Sequence, residues 1–237
     1  DAFTALFPVS TVTKADVEKV SQCALSIHRF FLAHTTLTTI YGTFEISAKI
    51  SLGIGQVEWC IIGEGKRFTY LFRGTAIDSC LVAQKAISGK YIGIAPDLVK
   101  VLSSVAEMTT GQQQQELRSL KQEVPERVVD LPILKRADLE PFVLDAVVDF
   151  QEQAEFRNVA TVFMSIEWID PQASQLFIKD VLALASQYGG YFNKLDYSEK
   201  GTVVLVVFGA PITYANDLVR AANFVQALKQ STSNVRW

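Results

Sequence analysis

The sequence predicts an α+β protein made of two incomplete copies of one ferredoxin-like, βαββαβ-based unit, packed as a pseudo-dimer. Three observations predict it. Residues 191–209 hold two apolar strands joined through Ser198-Glu199-Lys200-Gly201, the pattern of a hairpin. The chain opens on a similar stretch, Asp1-Ala2-Phe3-Thr4-Ala5-Leu6-Phe7, which superposes directly on the second hairpin strand, Asp1 on Thr202 and Phe7 on Phe208. Each of these strands runs into an amphipathic helix, so helices are expected on one face of a sheet.

Bulk properties narrow the class. With 237 residues, 49% hydrophobic and 20% charged, the chain can fill sizeable cores and is not of disordered composition. A net charge of −3 and a pI near 5.5 argue against a nucleic-acid surface. No apolar run approaches the roughly 20 residues of a membrane-spanning helix, so no integral membrane segment is expected. Cys23, Cys60 and Cys80 are widely spaced among apolar neighbours and read as buried, reduced thiols of a cytoplasmic protein.

Taken in order, residues 1–9 read as a strand. Thr13 followed by Asp16 has the form of a helix cap, and Val17, Val20, Ala24, Ile27 and Phe31 give the helix an apolar face. His28 and His34 on that helix have no acidic or nucleophilic partner nearby in sequence and read as surface or satisfied histidines. Alternation over residues 46–54 reads as a strand with one buried face. Residues 56–62 and 68–72 follow as a hairpin about Gly63-Glu64-Gly65-Lys66-Arg67, a turn without the glycine order of a phosphate loop. A helix over 76–87 closed by Gly89, a strand over 91–95 and a short helix from Pro96 complete the first unit. The composition then shifts near Thr109: Gln112 to Gln115, Pro125, Pro132 and Pro141 mark a connector, with a helix over 139–153 leading out of it. The second unit is expected as a strand over 158–167, a helix over 172–188 ended by Gly189-Gly190, the hairpin, and a helix over 216–230. The domain reading is thus residues 1–108, a linker over 109–155, and 156–237. The sequence reads as the later part of one unit joined to the first half of its sibling.

The order of these stretches carries a resemblance. Asp1-Ala2-Phe3-Thr4-Ala5-Leu6-Phe7, then the helix, then Ile50-Ser51-Leu52-Gly53-Ile54-Gly55, then Phe72-Arg73-Gly74-Thr75-Ala76-Ile77-Asp78, resembles the class III nucleotidyl cyclases. The doubling, with Asp78 and Ala83-Gln84 in one copy and Asn193-Lys194 before Val207-Phe208-Gly209 in the other, resembles the tandem soluble, bicarbonate-type adenylyl cyclases. The resemblance implies conversion of ATP to cyclic AMP and pyrophosphate at one composite site formed by pairing of the two units. Two Mg²⁺ ions, or Mn²⁺ in their place, would bind the triphosphate and favour attack of the ribose hydroxyl. It also leaves room for attached regulatory or ATPase domains.

Residue by residue, Asp1 matches a metal carboxylate and so is the catalytic and metal-binding candidate; its fellow would precede it. Ser165 and Thr202 stand at the matching places of the second copy, which implies that this copy cannot hold the metals. Lys194 matches the purine-reading lysine; without the resemblance it reads as a solvated strand lysine. In the first copy the purine partner falls on Leu71, the asparagine position on Asp78, which could instead cap its helix, and the transition-state arginine on Val82. Leu81 replaces the arginine implied for bicarbonate binding, with Arg73 nearby as a substitute anion partner or a salt-bridge residue. The first copy thus keeps a metal-side residue and the second a purine-reading one. That division suits a pair of units with a single site. One metal ligand and the asparagine and arginine that the resemblance implies are not among these 237 residues, so the chain alone is expected not to turn over ATP. Two other readings compete: a catalytically dead pseudo-cyclase that binds nucleotide or regulates attached domains, and a ferredoxin-like scaffold with an unrelated role.

Overall fold

The computed structural model describes residues 3–87, 91–111, 115–122, 124–125, 132–149, 157–168, 170–198, 201–231 and 235–237. In chain order the elements are α1 (Lys14–Ala33), β1 (Thr36–Thr39), β2 (Gly42–Glu45), β3 (Ile50–Leu52), β4 (Glu58–Glu64), β5 (Arg67–Arg73), α2 (Thr75–Lys85), β6 (Ile92–Ile94), α3 (Pro96–Leu102), β7 (Ala106–Thr110) and β8 (Gln115–Leu120). They continue with α4 (Arg136–Leu139), α5 (Asp145–Val148), β9 (Ala160–Ile166), α6 (Pro171–Tyr188), β10 (Tyr191–Ser198), β11 (Gly201–Phe208) and α7 (Asp217–Ser231). The protein is therefore α+β. It divides into two compact units, Asp1–Val57 with Gly74–Val129, and Glu58–Arg73 with Asp130–Trp237.

The first unit is built on a four-stranded sheet of order β3-β6-β8-β7. β3 and β6 are parallel, as a crossover through α2 requires, and β8 runs antiparallel to both β6 and β7. α1 begins as its sequence dictates. Thr13 accepts from the backbone N–H of Asp16 at 3.3 Å while its own N–H and hydroxyl donate to the Asp16 carboxylate at 3.0 and 2.6 Å, a complete capping box. Val17, Ala24 and Leu25 of α1 then pack with Leu52, Ile92 and Leu102 in one core. Gly74 marks where the chain returns to this unit. At φ +130° a Cβ there would lie 2.5 Å from the carbonyl oxygen of Gln56, so only glycine lets the two passing backbones approach.

Several expected elements differ. Residues 3–9 form no strand: they belong to none of the described sheets, and Phe3 is 78% exposed. An apolar run makes a strand only where a ladder partner exists. The expected strand over 46–54 shortens to β3, whose length is set by the three residues of β6 it pairs with. Ahead of it stands an unexpected hairpin, β1–β2, exposed along both strands and carrying Ile40 at 91% exposure in its turn. β7 and β8 are a further unexpected pair; β8 begins within the stretch read as connector and supplies buried Leu117. The expected helix over 139–153 is two short turns, α4 and α5, because Pro141 can neither donate to nor fit a continuing helix. Gly89, Gln112 to Gln114 and residues 150–156 lie outside the described residues.

The second unit follows its sequence more closely. β9, β10 and β11 form a sheet of order β10-β11-β9, with β11 antiparallel to both neighbours. The third strand thus lies between two parallel ones, a split β-α-β arrangement. Asp170 caps α6 by accepting from the N–H groups of Gln172 and Ala173. Gly189 ends α6 in the left-handed conformation at φ 71°, where a side chain would be strained. Phe177 and Val181 of α6, Phe224 and Leu228 of α7, and Val204 and Phe208 of β11 make the core. The β4–β5 hairpin belongs to this unit and adds Ile62 and Leu71 to the same core. Its turn at Gly65-Lys66 is a plain hairpin connection, as its glycine order predicts.

Candidate functional site

The side chains of β11 alternate strictly. Thr202, Val204, Val206 and Phe208 are buried, while the residues between them are half-buried. β9 keeps the same phase, with Met164 and Ile166 buried and Thr161, Phe163 and Ser165 exposed. One sheet face is therefore sealed by the core and the other left open. Register fixes what stands side by side on the open face, because directly paired residues share a face. Lys194 pairs with Leu205 and Leu205 with Phe163; Asp196 pairs with Val203 and Val203 with Ser165.

Lys194 stands on this open face. The β10 register shifts between Phe192 and Lys194, a bulge that leaves Asn193 and Lys194 both exposed before the alternation resumes with buried Leu195. The Lys194 ammonium lies 3.2 Å from Oδ2 of Asp196, two residues on and so on the same face. Oδ1 of Asp196 accepts from the Tyr197 N–H at 2.9 Å, which fixes the carboxylate's orientation. Both side chains are about half exposed, 51% and 54%, so the pair is a surface one of small intrinsic worth.

Ser165 and Thr202 do not come together. Val203, not Thr202, is the partner of Ser165, so Ser165 is on the open face and Thr202 on the sealed one. Thr202 is 1% exposed, and its hydroxyl finds no hydrogen-bond partner among the described residues. Two hydroxyls on opposite faces of a sheet do not fit a divalent cation, which takes converging oxygen ligands, carboxylates foremost. Among the described residues no group of three or more His, Cys, Asp or Glu is placed to hold one. Asp1, the catalytic and metal candidate, lies outside the described residues.

The remaining candidates take structural places. Leu71 is 2% exposed in the core of the second unit. Asp78 sits in the first turn of α2, whose capping position is taken by Gly74. Val82 is exposed on α2 and Leu81 half-buried. Arg73 is a salt-bridge residue: its guanidinium lies 2.6 Å from Glu58 and stacks over the Trp168 ring at 5.5 Å to the centroid. The cysteines correct another expectation, since Cys23 is exposed and Cys60 and Cys80 are only partly covered. Burial pushes both the Cys60 and the Cys80 thiol up from the ordinary value, which favours the protonated form. Among the described residues no helix is long and apolar enough to cross a membrane.

Sequence reading missed Asp196 and Phe163. The signal for Asp196 was present in the spacing, since residues two apart on a strand share a face, but the neighbourhood of Phe163 depends on register. No protein-family model matches this chain, and a search of curated proteins finds no matching relative.

Proposed function

We propose that the chain carries a nucleotidyl cyclase pair of the adenylate cyclase type, built on ferredoxin-like units in a cytoplasmic signalling protein. Its reaction is ATP to cyclic AMP and pyrophosphate, with the purine read by Lys194 of the second unit and the metal side left to Asp1. The observation that carries this reading is the place of Lys194. It is a cation on an open, largely apolar sheet face, within a split β-α-β unit whose own Ser165 and Thr202 do not fit a metal. Such a unit suits binding and orientation of a base rather than phosphoryl chemistry. Mg²⁺ or Mn²⁺ enters only as an implication of the resemblance for the first unit.

Cyclic AMP formation by the natural protein, with ATP and Mg²⁺, tests the reading. Asp1→Ala is expected to abolish turnover, and Lys194→Ala to weaken and broaden purine selection. Normal metal-dependent turnover in the Asp1 variant would overturn the site assignment. Nucleotide binding without turnover in the unaltered protein would instead identify a pseudo-cyclase.

A further inference from the structure

Within the second unit, β5 and β10 meet beside α6 and leave a narrow cleft of about 50 Å³. One water needs roughly 10–15 Å³, so the cleft takes a short chain of atoms. Its floor is Leu182 and Ala185 of α6, both buried, and Phe68, Phe142 and Leu144 form an apolar wall. The Phe68 and Phe142 ring centroids stand 6.4 Å apart. Arg67 and Tyr191 line the same cleft. We propose that it binds a short organic monoanion, a carboxylate with a tail of a few carbons, its head on Arg67 and Tyr191 and its tail against the phenylalanines. The site uses neither Lys194 nor Asp196 and stands apart from the nucleotide reading.

Arg67 begins β5 and fastens the turn that follows α4 onto it. Its Nη1 donates to the carbonyl oxygens of Glu140 and Val143 at 3.0 and 2.7 Å, and the Phe68 N–H donates to that of Pro141 at 2.8 Å. These bonds hold Phe142 and Leu144 against β5, and they fix the plane of the guanidinium. Among the described residues no carboxylate pairs with Arg67 and no bond is made by its Nε or Nη2. That edge is the one that meets a carboxylate with two parallel N–H···O bonds. Arg67 is half-buried, so it has given up part of its hydration without gaining a counter-ion. An anion that brings its own apolar cover supplies both.

Tyr191 begins β10. Burial pushes its hydroxyl up from the ordinary value, and the charge of Arg67 works in the other direction. The phenol therefore keeps its proton and is a donor. Its hydroxyl has no hydrogen-bond partner among the described residues. One guanidinium edge with one hydroxyl suits the two oxygens of a carboxylate. The buried alkyl floor and the aromatic wall suit a tail that loses water on entry.

Titration of the chain with butanoate, butanamide and acetate, followed by NMR chemical shifts, tests the site. Butanoate is expected to bind about tenfold more tightly than butanamide, which has the same tail and no charge, the worth of a charge-assisted hydrogen bond. It should also bind about tenfold more tightly than acetate, which lacks two methylenes. Tyr191→Phe leaves the bonds of Arg67 to Glu140 and Val143 in place and should weaken butanoate about three- to tenfold. Ser186 lines the cleft from an exposed position on α6, so Ser186→Trp should fill it and abolish the butanoate shifts while helicity is kept. Equal binding of butanoate and butanamide overturns the anionic head, and equal binding of butanoate and acetate overturns the apolar tail. Unaltered binding by Ser186→Trp overturns the cleft as the place, and unaltered binding by Tyr191→Phe overturns the role of the hydroxyl. Absence of any shift with butanoate at tens of millimolar overturns the site as a whole.

Discussion

Residues 3–7 and β11 are similar apolar runs, yet they end in opposite environments. β11 lies between β9 and β10, hydrogen-bonded on both edges, with Val204, Val206 and Phe208 sealed by α6 and α7. Residues 3–9 lie beside no strand among the described residues, and Phe7, the counterpart of Phe208, is 48% exposed. An apolar run is a capacity to form a strand. Whether it becomes a strand is decided by ladder partners on the edges and by a helix layer on one face. Both segments are followed by helices with an aspartate in the first turn: Asp16 closes the α1 capping box, and Asp217 accepts from the Tyr214 N–H at 2.8 Å. The helix start is local chemistry and survives in both places; the strand is not.

The largest effect that can break or sharpen this comparison is expected from truncating the paired phenylalanines. Phe208→Ala empties a fully buried site against Phe224, whose ring centroid is 5.6 Å away, and should destabilise by about 3–5 kcal/mol in urea unfolding. Phe7→Ala should change stability by less than about 0.5 kcal/mol. A large loss from Phe7→Ala would show that residues 3–9 are packed as a strand in solution, and the contrast would collapse.

A smaller effect of opposite sign is expected at Thr202. Its buried hydroxyl has no partner among the described residues, so Thr202→Val, of nearly the same shape, should stabilise by roughly 1 kcal/mol. Destabilisation in the same unfolding assay would mean that the hydroxyl is bonded after all.

Smaller still is the acid response of α1. Hydrogen bonds from the Thr13 hydroxyl and then from its N–H hold the Asp16 carboxyl below the ordinary value of 3.8. Because the folded value is the lower one, the stabilisation is present above 3.8 and is lost as pH falls through that lower value. Helicity measured on acid titration should therefore separate wild type from Thr13→Val most widely near neutral pH, with the gap narrowing below that window to the part that the Asp16 N–H to Thr13 hydroxyl bond maintains. A gap that persists unchanged at the lowest pH would argue that the carboxylate has no part in the cap.

A small change in stability is also expected at Lys194. Lys194→Ala removes an ion pair between half-exposed partners, so unfolding should shift by less than about 1 kcal/mol while nucleotide binding falls. Unfolding of the second unit by that substitution would make Lys194 a structural residue of the sheet and not a binding one.

Much of the second unit was legible in the sequence because its signals are local. Asp170 before an apolar helix, Gly189 at its end, and a glycine between two alternating runs each act within a few residues. The first unit was less legible because its strands depend on distant partners. β3 is only as long as β6 allows, β7 and β8 pair across a polar glutamine-rich stretch, and β4–β5 leaves its sequence neighbours to complete the other unit's core. The candidate site divides in the same way. Lys194 was visible as a residue, but that it shares a face with Asp196, Leu205 and Phe163, and that Thr202 does not, follows only from the register of three strands.

By itself, then, the sequence determined the start of α1, the stop of α6 and the turns of the β4–β5 and β10–β11 hairpins, because capping bonds and glycine conformations are fixed by near neighbours. Tertiary structure alone decided which strands pair, which face is sealed and which charges meet. Those outcomes depend on contacts between residues far apart in the chain, and a shift of one residue in register would exchange the buried and open faces altogether.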